Sequence, residues 1–217
     1  MKKALDHIKN STDINSNKIK EMYDNWVTYD EDAQKVNYCA PTKAAEIIHQ
    51  QFSQKNVSIL DCGSGTGLVG VELNRLGFSN IVGVDISPNC LAVAEKKYVY
   101  QKLVCAEVGK EKLPFDENCF DAVLCCGTFM PTHMSPECLP ELVRIVKPGG
   151  IIVVLMGQRY IEVVAGDEEC FCKYYQLEFD EVNRDLERSK KWKLISKSVF
   201  PNLVANKAAL SFVWEVL

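Results

Sequence analysis

Four glycines, Gly63, Gly65, Gly67 and Gly70, crowd the stretch ILDCGSGTGLVG directly behind an aspartate, Asp61. A glycine-rich turn from a strand into a helix lets backbone amides approach a ligand at the carboxyl edge of a sheet. A dinucleotide places its pyrophosphate on such a helix N-terminus, and Gly65-x-Gly67-x-x-Gly70 matches that fingerprint. The register opposes this reading. The strand ends near Asp61, the first glycine is Gly63, and Leu68 stands where the dinucleotide pattern wants its third glycine. A carboxylate at Asp61 would also repel a pyrophosphate and welcome a cation. S-adenosylmethionine carries an ammonium and a sulfonium, so Asp61 favours it over a nicotinamide dinucleotide.

Asp85 is the second carboxylate. It closes the strand-like VGVD, 22 positions beyond Gly63, where an acid can accept hydrogen bonds from both ribose hydroxyls. Read alone, Asp85 is a solvated strand end and Asp61 a local cap; behind this glycine run the ligand reading outweighs both.

The elements that must carry these residues alternate. PTKAAEIIHQQF reads as an amphipathic helix with Pro41 in its first turn. VSILD, NIVGVDIS, QKLVCAE, FDAVLCCGTF and IIVVLMG read as five strands. Between them fall helices in GLVGVELNRLG, closed by Gly77, in PNCLAVAEKKY, opened by Ser87-Pro88, and in PECLPELVRIV, opened by Ser135-Pro136 and broken by Pro148-Gly149-Gly150. This alternation predicts a parallel sheet with helices on both faces. The tail predicts a charged helix in YYQLEFDEVNRDLERSKKW, then two strands that pair antiparallel, KLISKSVFPNLVA and AALSFVWEVL. The first fifteen residues are polar and expected to fray, and Ile19–Pro41 to form a short helix and then a loop.

Composition sets the bounds. The 217 residues suit one α/β domain, with 47% hydrophobic and 25% charged residues. A net charge of −4 and a pI near 5.5 argue against nucleic acid as a partner. The apolar run GGIIVVLMG is far shorter than the roughly 20 residues of a spanning helix, so no membrane is expected. The N-terminus lacks an apolar core of the secretory kind. Ten cysteines without metal-ligand spacing are expected as reduced thiols in a cytoplasmic protein, with no metal. Cys170-x-Cys172 lacks the further ligands that a metal needs.

ILDCGSGTG, VGVDIS, LPFDENCFDAVLCCGTF and LVRIVKPGGIIVV, in that order, resemble the successive motifs of class I S-adenosylmethionine-dependent methyltransferases. The likeness covers roughly residues 40 to 157. It implies a Rossmann-like, seven-stranded α/β sheet, mostly parallel with a C-terminal antiparallel hairpin. Residues 1–40 are expected as a helical lid segment and 41–217 as the methyltransferase domain, with S-adenosyl-L-methionine as cofactor. Carried onto this chain, Gly63, Ser64 and Gly65 would line the methionine moiety, with Asp61 near its ammonium. Asp85 would hold the ribose and Ile86 would pack on adenine. The Ala106 amide or the Glu107 side chain would meet the adenine amino group, and the Cys125 carbonyl would face the ammonium.

Tyr23, Trp26, Tyr29 and Tyr38 precede the first strand and must fold over its carboxyl edge to be buried. Aromatic faces suit a sulfonium, so Tyr29 and Tyr38 are expected at the site and Trp26 in packing. His133, in GTFMPTHMSP after the fourth strand, is the best-placed histidine for a general base, although a loop histidine is more often simply exposed. Tyr160, Glu162, Tyr174 and Tyr175 could line an acceptor pocket or lie on the surface. Tyr98-x-x-x-Lys102 mimics a dehydrogenase pair in the wrong place and is taken as chance. CCGT follows the fourth strand, where a base-gripping tetrapeptide would be needed for a nucleic-acid acceptor. The expected function is methyl transfer to a small molecule or a protein side chain. The alternative is a non-catalytic module that binds S-adenosylmethionine or S-adenosylhomocysteine.

Overall fold

The computed structural model describes residues 16–109, 111–166, 172–204 and 206–217. The expected fray of the first fifteen residues, and Cys170, lie outside them. Two helices precede the sheet, α1 (Ser16–Asp24) and α2 (Tyr29–Lys35), followed by α3 (Ala40–Gln51). The order then runs β1 (Ile59–Cys62), α4 (Leu68–Arg75), β2 (Ile81–Asp85), α5 (Pro88–Glu95), β3 (Lys102–Cys105) and β4 (Phe120–Cys126). A 3-10 turn (Pro136–Cys138) leads into α6 (Leu139–Ile145), then β5 (Val146–Gly157), α7 (Lys173–Arg188), β6 (Trp192–Val204) and β7 (Lys207–Val216).

The seven strands form one sheet in the order β3-β2-β1-β4-β5-β7-β6. β1 to β5 pair in parallel, β7 runs antiparallel to β5, and β6 antiparallel to β7. The chain starts in the middle of the sheet, winds outward to β3, and returns past β1 to β4. The reversal opens a crevice at the carboxyl ends of β1 and β4, where ligands of such sheets sit.

Side chains alternate across the sheet. Leu60, Cys62, Val123 and Cys125 face α6 and α7, packing with Leu139, Leu142 and Phe179. Ile59, Leu124, Val153 and Leu155 face α3 and α4, packing with Ala44, Ile48 and Leu73. Each such buried aliphatic side chain stabilises the fold by about 1.5–3 kcal/mol. The hairpin adds Trp192 stacked on Trp214 at 4.5 Å between centroids, with Phe212 on Trp214 at 5.2 Å.

Two local expectations are corrected. The segment after α1 is not a loop: α2 forms because Asp30, Glu31 and Asp32 occupy its first turn and Lys35 its last, matching the helix dipole at both ends. Pro148-Gly149-Gly150 does not end α6, which stops at Ile145. β5 has begun at Val146, and the Pro-Gly-Gly run sits inside that strand as an irregularity in the register with β4.

Candidate functional site

The strand-to-turn junction after β1 is built from left-handed glycines. Gly63 (φ +77°), Gly65 (φ +51°) and Gly67 (φ +90°) occupy a region that other residues enter at a cost. A Cβ on Gly63 would lie 2.3 Å from Thr128 Cγ2, so this glycine allows the loop after β4 to close on the turn. A Cβ on Gly65 would meet nothing within 4 Å, which marks the open side of the turn. Gly65 donates its amide to Asp85 Oδ2 at 2.8 Å, and the Ser87 amide donates to Oδ1 at 2.8 Å. Asp85 thereby ties the end of β2 to the glycine turn. Burial raises its pKa, against the lowering effect of these amides.

A cavity of about 150 Å³ opens over this turn. Tyr29, Tyr38, Gly63, Gly65, Asp85, Ile86, Ala106, Glu107 and His133 all line it. Asp61, Ser64 and Cys125 do not. Cys125 faces the α6–α7 core, and the lining continues instead through Cys126, Gly127 and Thr128. Asp61 is 1% exposed, on the α4 side of β1, with Tyr100 donating to its Oδ2 at 2.6 Å. Its Oδ1 is buried without a hydrogen-bond partner, as are Ser64 Oγ and Thr128 Oγ1. Burial pushes the Asp61 carboxyl up to about 7, Tyr100 opposes that, and Asp85 adds to it.

The roof is the N-terminal segment, fastened by two carboxylates. Ser87, which caps α5 by accepting from the Cys90 amide, donates to Asp24 at 2.6 Å. Thr66 and Lys97 donate to the two oxygens of Asp30 at 2.5 and 2.6 Å. Burial raises the phenol pKa values of Tyr23, Tyr29 and Tyr38, so all three stay neutral. The Cys126 thiol is raised to about 12, also by burial, and is protonated. His133 meets Tyr23 Oη at 3.1 Å through Nε2 and Thr132 Oγ1 at 3.2 Å through Nδ1. Burial lowers it to about 4, so it is a neutral imidazole at pH 7.

A second recess, of about 70 Å³, adjoins the first through Tyr23, Tyr29, Tyr38 and Gly127. Its far wall includes Trp26, Met130 and Tyr160. Of the other acceptor candidates, Glu162 is held by Lys197 and Gln158, Tyr174 is exposed, and Tyr175 is buried with its hydroxyl on the Met134 carbonyl. Tyr98 lies on the surface at φ +54°, in keeping with a chance motif.

Sequence reasoning missed Tyr23, Thr128, Cys126 and Tyr100. The dinucleotide fingerprint carried a signal for Tyr100: a Cβ on Gly70 would lie 2.3 Å from Tyr100 Cζ, and one on Gly67 would lie 3.0 Å from Cε2. Those two glycines seat a tyrosine ring.

The carboxylate at the end of β2, the open face of Gly65 and the unpartnered buried polar atoms around Gly63 fit a ligand with ribose hydroxyls at one end and a charged polar group at the other. Residues 60–154 match the family model described as "Methyltransferase domain". That match runs from β1 into β5, so this part of the chain is similar to a methyltransferase domain.

Among known proteins the chain is similar to Methyltransferase-like protein 27 of Homo sapiens, 38% identical over 134 residues, which are 60% of this chain and 54% of that protein. It is 29% identical over 119 residues to Demethylmenaquinone methyltransferase of Chlorobaculum tepidum, covering 55% of this chain and 48% of that one. The chain thus spans about half the length of the curated relatives it matches. A Burkholderia thailandensis 1,6-didemethyltoxoflavin-N1-methyltransferase with bound S-adenosylhomocysteine shares the fold at TM-score 0.60 and 17% identity, over 87% of this chain and 83% of that one. So does the [4+2]-cyclase SpnF, at TM-score 0.60 and 15% identity, over 81% and 80%. The fold by itself does not choose the reaction.

Proposed function

We propose that this chain transfers a methyl group from S-adenosylmethionine to a small-molecule or protein acceptor. The observation that carries the reading is the cavity over the Gly63–Gly67 turn, lined by Asp85 and by Thr128, whose hydroxyl is buried without a partner. Asp85 holds the ribose, Ile86 packs on adenine, and Ala106 or Glu107 meets the adenine amino group. Gly63, Ser64 and Gly65 take the methionine end, with Asp61 and the Cys125 carbonyl toward its ammonium. Thr128 supplies a buried hydroxyl there that lacks a partner in the ligand-free chain.

S-adenosylmethionine, when bound, would supply an electrophilic methyl group for transfer to the acceptor. The chain's part is to position and to exclude water. Tyr23, Tyr29 and Tyr38 form the boundary between the two recesses, so the aromatic second recess is the acceptor's seat. Neutral phenols there do not compete as nucleophiles. His133 is neutral and so able to take a proton, from an acceptor that must lose one. Residues 1–40 serve as the lid and 41–217 as the catalytic domain. Among the described residues, no helix is long and apolar enough to cross a membrane, and nine cysteines are free thiols, which supports a cytoplasmic setting. The acidic balance weighs against a nucleic-acid acceptor.

Calorimetric titration with S-adenosylmethionine and S-adenosylhomocysteine, with NAD as control, tests the reading. Saturable binding of the first two, weakened at least tenfold in Asp85→Asn, is expected. A folded protein that binds neither, or prefers NAD, overturns it. Binding without turnover across broad acceptor panels favours the non-catalytic alternative.

A further inference from the structure

Tyr100 lies in the loop before β3, outside the cavity, and its ring fills the space left by three glycines. A Cβ on Gly70, Gly67 or Gly83 would lie 2.3, 3.0 or 3.1 Å from its nearest ring atom. Its hydroxyl accepts from the Gly70 amide at 3.1 Å and donates to Asp61 Oδ2 at 2.6 Å. The ring is therefore held by α4 and the glycine turn, and the hydroxyl has one direction left in which to donate. Asp61 in turn keeps Oδ1 buried and unpartnered.

We propose that Tyr100 is a positioning residue that holds Asp61 by one oxygen and leaves the other for the ammonium of the cofactor, so that cofactor binding is coupled to loss of a proton from Asp61. The proposal rests on the reading of this cavity as the S-adenosylmethionine site. Its physical basis is the surroundings of Asp61. Asp85 faces it from β2, the Cys126 thiol from β4, and Tyr100 from the loop before β3. Among the described residues, no cationic side chain is among the groups that shift it. A buried carboxyl next to another acid and without a cation keeps its proton near neutral pH. An arriving ammonium is the missing cation. Binding then selects the ionised form and releases the proton, and only the ionised fraction of the free protein is competent.

The midpoint near pH 7 sets the size of the effect. The ionised fraction rises from about a tenth at pH 6 to about nine-tenths at pH 8, so S-adenosylhomocysteine should bind about tenfold more tightly at pH 8. 5′-Methylthioadenosine keeps the nucleoside and thioether but lacks the amino-acid end. It still reports any titration of Asp85, and its affinity should stay nearly flat. Tyr100→Phe keeps the ring and removes a hydrogen bond that favours the carboxylate. Its midpoint should move up by about one pH unit or more, with affinity recovering at high pH. Asp61→Asn should bind more weakly and without the profile.

Calorimetry from pH 5.5 to 9 in buffers of different ionisation enthalpy reads both the profile and the released proton. An affinity for S-adenosylhomocysteine as flat as that for 5′-methylthioadenosine overturns the proposal and leaves the cofactor reading standing. So does a Tyr100→Phe loss that is uniform at every pH, which is what mere structural support would give. Failure of both ligands to bind the wild type overturns the cofactor reading itself.

Discussion

Replacing Asp61 with asparagine should make the ligand-free protein more stable at pH 8 relative to wild type than it is at pH 4. The wild-type carboxyl ionises at about 7 in the folded chain, against an ordinary value of 3.8. Below pH 4 it is protonated in both states and costs nothing. Between about 4 and 7 the unfolded chain has released the proton and the folded chain has kept it, so wild-type stability falls as pH rises. Above 7 the loss is complete. A rise from 3.8 to about 7 corresponds to about 4 kcal/mol. Asparagine does not titrate, but its amide would point a donor or leave an oxygen where Oδ1 now lacks a partner, a pH-independent cost of about 1–3 kcal/mol. The difference between the two proteins should therefore swing by about 4 kcal/mol from pH 4 to pH 8. For a chain of this size that is a relative Tm change of about 10 °C. Thermal melts of both proteins across this range, without ligand, read it directly. Every other carboxylate titrates in both and largely cancels. A Tm difference constant to within about 2 °C would refute the reasoning, because Asp61 would then have no raised pKa to lose.

Three more outcomes follow from the same geometry. Gly70→Ala should destabilise by about 1–3 kcal/mol in urea melts, although alanine is the better helix former by about 1 kcal/mol, because its Cβ displaces the Tyr100 ring. Asp30→Asn removes the ion pair with Lys97 and weakens the bond from Thr66. Limited proteolysis should then cut between residues 16 and 40 several-fold faster, with little change in global stability. Trp214→Ala should cost about 3–5 kcal/mol or abolish folding, since Trp192 and Phe212 stack on its two faces; a urea midpoint shifted by less than 1 kcal/mol would contradict that packing.

Much of this was legible in the chain because it is local. Short apolar runs marked the strands, and Ser87-Pro88 and Ser135-Pro136 marked helix starts that the structure keeps. Strand ends after β1 and β2 carry the glycines and Asp85 because a parallel sheet delivers successive loops to one edge. The likeness to a methyltransferase could be read from four motifs in order, since their spacing reflects that same delivery.

Contacts between segments far apart in sequence were decided only in three dimensions. Asp61 reads as a ligand residue by position, yet strand alternation turns it to the α4 side, and Tyr100, 39 residues later, settles what its oxygens can do. The third glycine of an apparent dinucleotide fingerprint is a seat for that tyrosine. Cys125 and Cys126 look interchangeable in sequence, and the period of two sends one into the core and the other into the cavity. Tyr23 and His133 meet across 110 positions. Local patterns set the elements because backbone geometry repeats every two or 3.6 residues. The charge state and the open valence of each buried oxygen depend on whichever distant side chains the fold brings beside it, and no local pattern encodes those.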